Sequence, residues 1–184
     1  MTSSHAAGAP PGPSRLQQEI RQTVPFRSRA QEAFLSLLRT ADLARNRFTD
    51  LFGPEGVTFQ QYNVLRILRG AGPAGLPTLE IGARMIERTP GVTRIVDRLE
   101  AKGWVERERC ATDRRQVFCR ITPAGSALLA RLDRPVDAND NAMFADIPDG
   151  DLEVFIRVLD ELRSSLGACS ADSLQPSGPI RRPM

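Results

Sequence analysis

Asp113, Arg114 and Arg115 stand in a row inside CATDRRQVF, between two stretches that read as short strands. A charged trio suits a solvated turn. Two of its members are guanidiniums, however, and these meet phosphate oxygens or guanine edges in a bidentate fashion. Just upstream, RTPGVTRIVDRLEAKGW places Val92, Ile95, Val96 and Leu99 at i, i+3, i+4 and i+7, a helical face that must be buried. The same spacing turns Gly91, Thr93, Arg94, Asp97 and Arg98 outward. Gly91 and Thr93 permit close approach of a surface, and Arg94 and Arg98 reach base edges or phosphates. Thr89 is an N-cap candidate, with Pro90 at the first helical position, where its missing N–H costs no bond. Free N–H groups from Thr89 to Val92 would add a phosphate site.

Other chemistries find little support. His5 is the single histidine and lies in a stretch rich in Ser, Gly, Pro and Ala. No nucleophile–base pair, metal-ligand cluster or phosphate-cradling loop is visible, and GAGPAG lacks both a preceding strand and the P-loop lysine. An enzyme is therefore not expected, nor a cofactor or a metal. Cys110, Cys119 and Cys169 are odd in number, without Cys-x-x-Cys spacing, which argues against a disulfide framework or zinc site. Cys110 and Cys119 flank the charged turn but do not face each other when counted back from a tip near Asp113. No apolar run approaches the roughly 18 residues that a membrane span needs, and the N-terminus lacks the apolar core of a secretory signal. The expectation is a reduced, cytoplasmic protein without a membrane partner.

The net charge is only +3 over 184 residues. The window from Glu87 to Arg120 holds nine basic and six acidic side chains, and so carries the whole excess. Lys102 is the sole lysine among 25 basic residues. Arginine suits phosphate contact, although codon bias produces the same ratio.

The elements that position these residues follow from periodicity. Residues 1–27 are rich in Pro, Gly and Ser and read as a disordered tail, as do residues 168–184. Between them one domain, 28–167, is expected. Phe34, Leu37, Leu38, Ala41, Ala44, Phe48, Leu51 and Phe52 mark a long amphipathic helix ended by Gly53-Pro54. Thr58 and Gln61 have capping-box spacing ahead of Val64, Leu65 and Leu68. GAGPAGLP reads as a linker, after which Thr78 caps a short helix with Leu79, Ile81, Ala83 and Met85. Lys102 and Gly103 end the helix that begins at Thr89. WVERER and QVFCRIT then make a hairpin, with Val117, Cys119 and Ile121 on one face. Thr122-Pro123 opens another helix that Pro135 should kink or interrupt, and IPDGD introduces the last one, which runs to Leu166.

Two short helices joined by a tight turn and followed by a β-hairpin describe a winged helix-turn-helix. The fold class expected is mainly α with a small β-wing, the winged core being flanked by N- and C-terminal helices. Thr78 to Leu129 also resembles the core of MarR-type transcriptional regulators, through TRIVDRLEAKGWVER, then DRR, then ITPAG leading into a leucine helix. The resemblance covers about residues 28–167. It implies a homodimer, with a winged core at about 57–122 and dimerisation helices at about 28–52 and 122–167. It also implies that Thr89 to Arg98 enters the major groove of double-stranded DNA. Asp113 would orient Arg115 toward the minor groove, with Arg114 as a phosphate or alternative contact. The function so implied is sequence-specific regulation of transcription: a homodimeric repressor on a pseudo-palindromic operator, released by a small phenolic or lipophilic effector. The rival reading is a winged-helix adaptor that binds proteins and not DNA.

Overall fold

The computed structural model describes residues 12–87, 90–109 and 117–172, with side chains to residue 167. The chain divides into two compact units, residues 1–132 and 133–184. None of its described helices is long and apolar enough to cross a membrane.

The first unit opens with a helix inside the Pro/Gly/Ser-rich N-terminal stretch, so part of the tail expected over residues 1–27 is ordered instead. Ser14 begins α1 (Arg15–Glu19) with a capping box, its hydroxyl accepting from the Gln17 N–H while the Gln17 side chain accepts from the Ser14 N–H. Leu16 and Gln17 are buried, and Glu19 pairs with Arg39 at 2.8 Å. Helix α2 (Arg29–Phe52) starts at the Ser28 cap and stops at Gly53, as the periodicity predicts. Its C-terminal end is fixed by stacking aromatics. Phe52 lies 5.5 Å from Phe48 and 4.6 Å from Tyr62 between ring centroids, and Phe48 lies 5.3 Å from Phe59. Farther back along α2, Phe34 and Leu38 are exposed.

Helix α3 (Phe59–Ala71) carries the expected capping box, Thr58 with Gln61, and buries Val64, Leu65 and Leu68 completely. Each such side chain withdrawn from water contributes about 1.5–3 kcal/mol. Strand β1 (Leu76–Pro77) occupies what the sequence presents as plain linker. Helix α4 (Thr78–Arg84) follows it directly, so its N-cap is Pro77 and Thr78 is not the expected cap. The Thr78 hydroxyl instead lies 3.6 Å from the Cys119 sulfur. Helix α5 (Val92–Ala101) ends in a Schellman turn: the N–H of Trp104 reaches the Leu99 carbonyl at 3.0 Å and that of Gly103 reaches Glu100 at 2.8 Å.

Strands β2 (Val105–Arg109) and β3 (Val117–Ile121) pair antiparallel, with Arg107 opposite Cys119. Strand β1 adds to the other edge of β3, giving the order β1-β3-β2. The expected apolar face is present, since Cys119 is fully buried between half-buried Val117 and Ile121. Helix α3 packs on β3, α4 and α5, so Ile81, Val96, Leu99 and Cys119 close one core.

Thr122 begins α6 (Pro123–Phe144) as expected, its hydroxyl accepting from the Gly125 N–H at 3.1 Å and donating to the Gly103 carbonyl at 2.7 Å. A side chain at Gly125 would collide with the Trp104 carbonyl, which explains the glycine in ITPAG. Leu128, Leu129 and Leu132 are buried. Pro135 lies inside α6 without interrupting it, one of the two outcomes expected of it. A single missing N–H removes one bond of the helical ladder, and the turns on either side keep theirs.

In the second unit α7 (Asp149–Asp172) follows a turn closed by the Ile147 N–H on the Phe144 carbonyl at 2.9 Å. Phe144 and Phe155 approach to 6.5 Å between ring centroids. Val154, Phe155, Ile156, Val158, Leu162 and Leu166 of α7 are exposed.

Candidate nucleic-acid interface

The start of α5 sets the site. Gly91 is its N-cap with φ +102°, a left-handed conformation that a side chain would strain. This corrects the Thr89-Pro90 start: the helix proper begins at Val92, and Pro90 lies in the turn before it. The glycine that looks misplaced inside a helix is in fact its boundary. The Gly91 carbonyl then accepts from the Arg94 N–H at 2.9 Å, which begins the helical ladder.

From that start the burial pattern follows the sequence. Val96 and Leu99 are fully buried and Val92 and Ile95 half-buried, while Thr93, Arg94, Asp97 and Arg98 are exposed together on the opposite face with Gly91 beside them. Arg94 and Arg98 form no ion pair among the described residues. Thr89, Asp113, Arg114 and Arg115, and with them the tip of the hairpin and Cys110, lie outside the described residues.

The acid on this face is occupied. Arg107 of β2 reaches back to α5, contacting Asp97 at 2.6 Å and Glu100 at 3.3 Å and donating to the Thr93 carbonyl at 3.3 Å. Burial opposes the charge of Arg107, but the hydrogen bond to Asp97 and the attraction of Asp97 and Glu100 outweigh it and hold the guanidinium above its usual range. One arginine thus joins the root of the wing to the helix and pairs with Asp97 on the outer face of α5. Sequence reasoning passed over Arg107. The signal was its strand face: Arg107 lies two residues beyond buried Val105, a place where a charge needs a partner.

The turn between α4 and α5 is held from α3. The Ile86 N–H donates to Oδ1 of buried Asn63 at 3.0 Å, and Gln60 donates to Glu87 at 3.1 Å. Beyond the other end of α5, Lys102 donates to the Gly56 carbonyl at 2.6 Å and stands 4.7 Å from the Trp104 ring centre. Leu79 of α4, Gly82, Pro90 and Thr93 line an open cleft where the two helices meet. Two helices meeting at a constrained turn, the second with a small and basic outer face, and an antiparallel hairpin tied to that second helix define a winged helix-turn-helix.

Comparison with known proteins places this module. The model of the MarR family matches residues 55–116. A MarR transcription factor from Planctomyces limnophilus is 36% identical and superposes with a TM-score of 0.58 over 74% of this chain and 98% of its own. A protein of Thauera aromatica ascribed to regulation of the hcr operon is 31% identical over 108 residues, which is 59% of this chain and 64% of that relative, just under two thirds of its length. BpsR from Bordetella bronchiseptica, whose DNA binding is regulated by 6-hydroxynicotinic acid, shares the fold at a TM-score of 0.64 and 20% identity, over 72% of this chain and 98% of its own. The chain belongs to the MarR family of DNA-binding transcriptional regulators.

Proposed function

We propose that this protein is a homodimeric repressor that reads a pseudo-palindromic duplex and leaves it when a small phenolic or lipophilic molecule binds. The observation that carries the reading is the division of charge on α5: Arg107 occupies Asp97, while exposed Arg94 and Arg98 form no ion pair among the described residues. A face so arranged attracts phosphate and guanine. In this reading Thr89, Gly91, Thr93, Arg94 and Arg98 meet the major groove. Asp113 orients Arg115 toward the minor groove, and Arg114 takes a phosphate. Half-sites would lie about one helical turn apart.

Dimerisation is assigned to helices at about 28–52 and 122–167, with α1 (Arg15–Glu19) in the stretch before them. The exposed apolar residues of α2 and α7 favour this assignment. The effector class draws on BpsR and its 6-hydroxynicotinic acid. An effector would act by preferring a spacing of the two reading helices that does not fit the operator. The reading also places the protein in the cytoplasm, where its duplex is.

Gel shifts with the duplex upstream of the protein's own gene test the reading. Sequence-selective, salt-sensitive binding is expected. Arg94→Ala with Arg98→Ala should cost about 1–3 kcal/mol for each base that these side chains read. Arg114→Ala with Arg115→Ala should flatten the salt dependence by about 0.9 for each phosphate that these side chains neutralise. Binding that ignores all four arginines would favour the protein-interaction adaptor.

A further inference from the structure

Glu87 lies in the turn that delivers the chain from α4 to α5, and both of its carboxylate oxygens are held by other helices. Nε of Arg45, on α2, donates to Oε1 at 3.0 Å. Nε2 of Gln60, on α3, donates to Oε2 at 3.1 Å. One residue earlier the turn has a separate, buried anchor, the Ile86 N–H on Asn63. The anchor belongs to the folded core. The Arg45 contact reaches the turn from α2, less than a turn before Phe48 and Phe52, which seat that end of the helix on α3. The other half of α2 leaves Phe34 and Leu38 exposed, so whatever covers that half tilts the helix about this seat.

We propose that Glu87 is a positioning residue that couples α2 to α5, making the aim of the reading helix depend on where α2 sits. The proposal rests on the reading that α5 engages DNA and α2 belongs to the dimer. Its physical basis is the shortness of the connection: Glu87 stands four residues before Gly91, whose φ of +102° fixes the direction in which α5 departs. Helix shifts at subunit interfaces commonly reach about 1–2 Å, enough to open a hydrogen bond of normal length. When α2 shifts that far, Arg45 leaves Glu87 and the turn loses one of its restraints. The Asn63 anchor keeps the turn folded, so the consequence is a looser aim and not unfolding. An exposed ion pair contributes little to global stability, which lets aim and stability be measured apart.

Charge exchange in the full-length protein tests the coupling. Arg45→Glu, Glu87→Arg, the double exchange and the milder Arg45→Gln are compared with the parent by amide hydrogen exchange. Their affinity is measured for a duplex that the parent selects from a random library and for unselected duplex. Each single change is expected to raise exchange across residues 85–95 severalfold and to lower the ratio of selected to unselected affinity about fivefold. The unfolding midpoint should stay within about 3 °C. The double exchange should return both quantities to within about twofold of the parent. Single variants that leave exchange at 85–95 unchanged, or a double exchange that fails to restore it, overturn the proposal. If the parent selects no duplex, the DNA reading fails on that result alone, and the exchange data still decide whether α2 restrains the turn.

Discussion

Helices α5 and α7 have the same kind of sequence and opposite fates. Both carry apolar residues at helical spacing with charges between them. In α5 the apolar face is closed by its own chain, with Val96 and Leu99 fully buried against a core that includes α3. In α7 the corresponding residues are exposed, Leu166 to 61%. The difference teaches that amphipathicity fixes which face of a helix seeks cover and leaves open what supplies it. For α5 the supplier is local, since β2 follows within four residues and Arg107 reaches back to tie it. For α7 the proposed supplier is a second copy of the chain.

The sharpest way to break this comparison is to damage α5. Leu99→Ala removes a fully buried side chain and should destabilise the protein by about 2–5 kcal/mol in chemical denaturation. A loss below about 1 kcal/mol would mean that α5 is not fixed by its own core. The matching change in α7, Leu162→Asp, should leave helical content intact and convert a dimer to a monomer in light scattering. Its affinity for operator should fall at least about tenfold as one half-site is given up. A persistent dimer would remove α7 from the interface.

Smaller effects sharpen the picture around the core. Thr122→Ala deletes the hydroxyl that caps α6 and binds the Gly103 carbonyl beyond the end of α5, at an expected cost of about 0.5–2 kcal/mol in thermal unfolding. The smallest effect concerns Glu55. Its hydrogen bond to Arg131 at 2.8 Å, aided by that charge, holds its carboxyl below the ordinary glutamate value. A depressed folded value means that the stabilisation is complete above the unfolded value and fades as pH falls through the folded one. Arg131→Met should therefore trim the acid-side loss of stability slightly and leave neutral pH nearly unchanged, because both partners are at the surface. Stability curves of the two proteins that coincide at every pH would show the pair to be inert.

Much of this was legible from residue order. Ser28, the Thr58/Gln61 box, Gly103 and Thr122-Pro123 marked four helix ends correctly, because capping is local: at the starts a side chain meets an N–H three residues on, and at Gly103 a backbone N–H meets a carbonyl three residues back. The outward placement of Thr93, Arg94 and Arg98 followed from the period of an α-helix. Thr89-Pro90 misled because Gly91 competes for the same boundary, and a glycine at positive φ ends the turn more firmly than proline begins a helix. Strand β1 was illegible, since two residues carry no period and Leu76-Pro77 becomes a strand only by lying against Cys119 and Phe118. Pro135 left kink and break both open because a helix rule concerns one bond, whereas α6 holds on either side of it.

By itself, then, the sequence determined the helices from α2 onward, their inward and outward faces, and the basic character of the outer face of α5, since all of these depend on neighbours within a turn or two. Tertiary structure alone decided the partnerships across distance. Arg107 with Asp97, Glu87 with Arg45 and Gln60, and Gly125 beneath the Trp104 carbonyl each depend on how separate elements approach. Periodicity carries no information about that approach. It is set by close packing of Leu65, Leu68, Val96 and Leu99, and the charged side chains then pair with whatever that packing brings within reach.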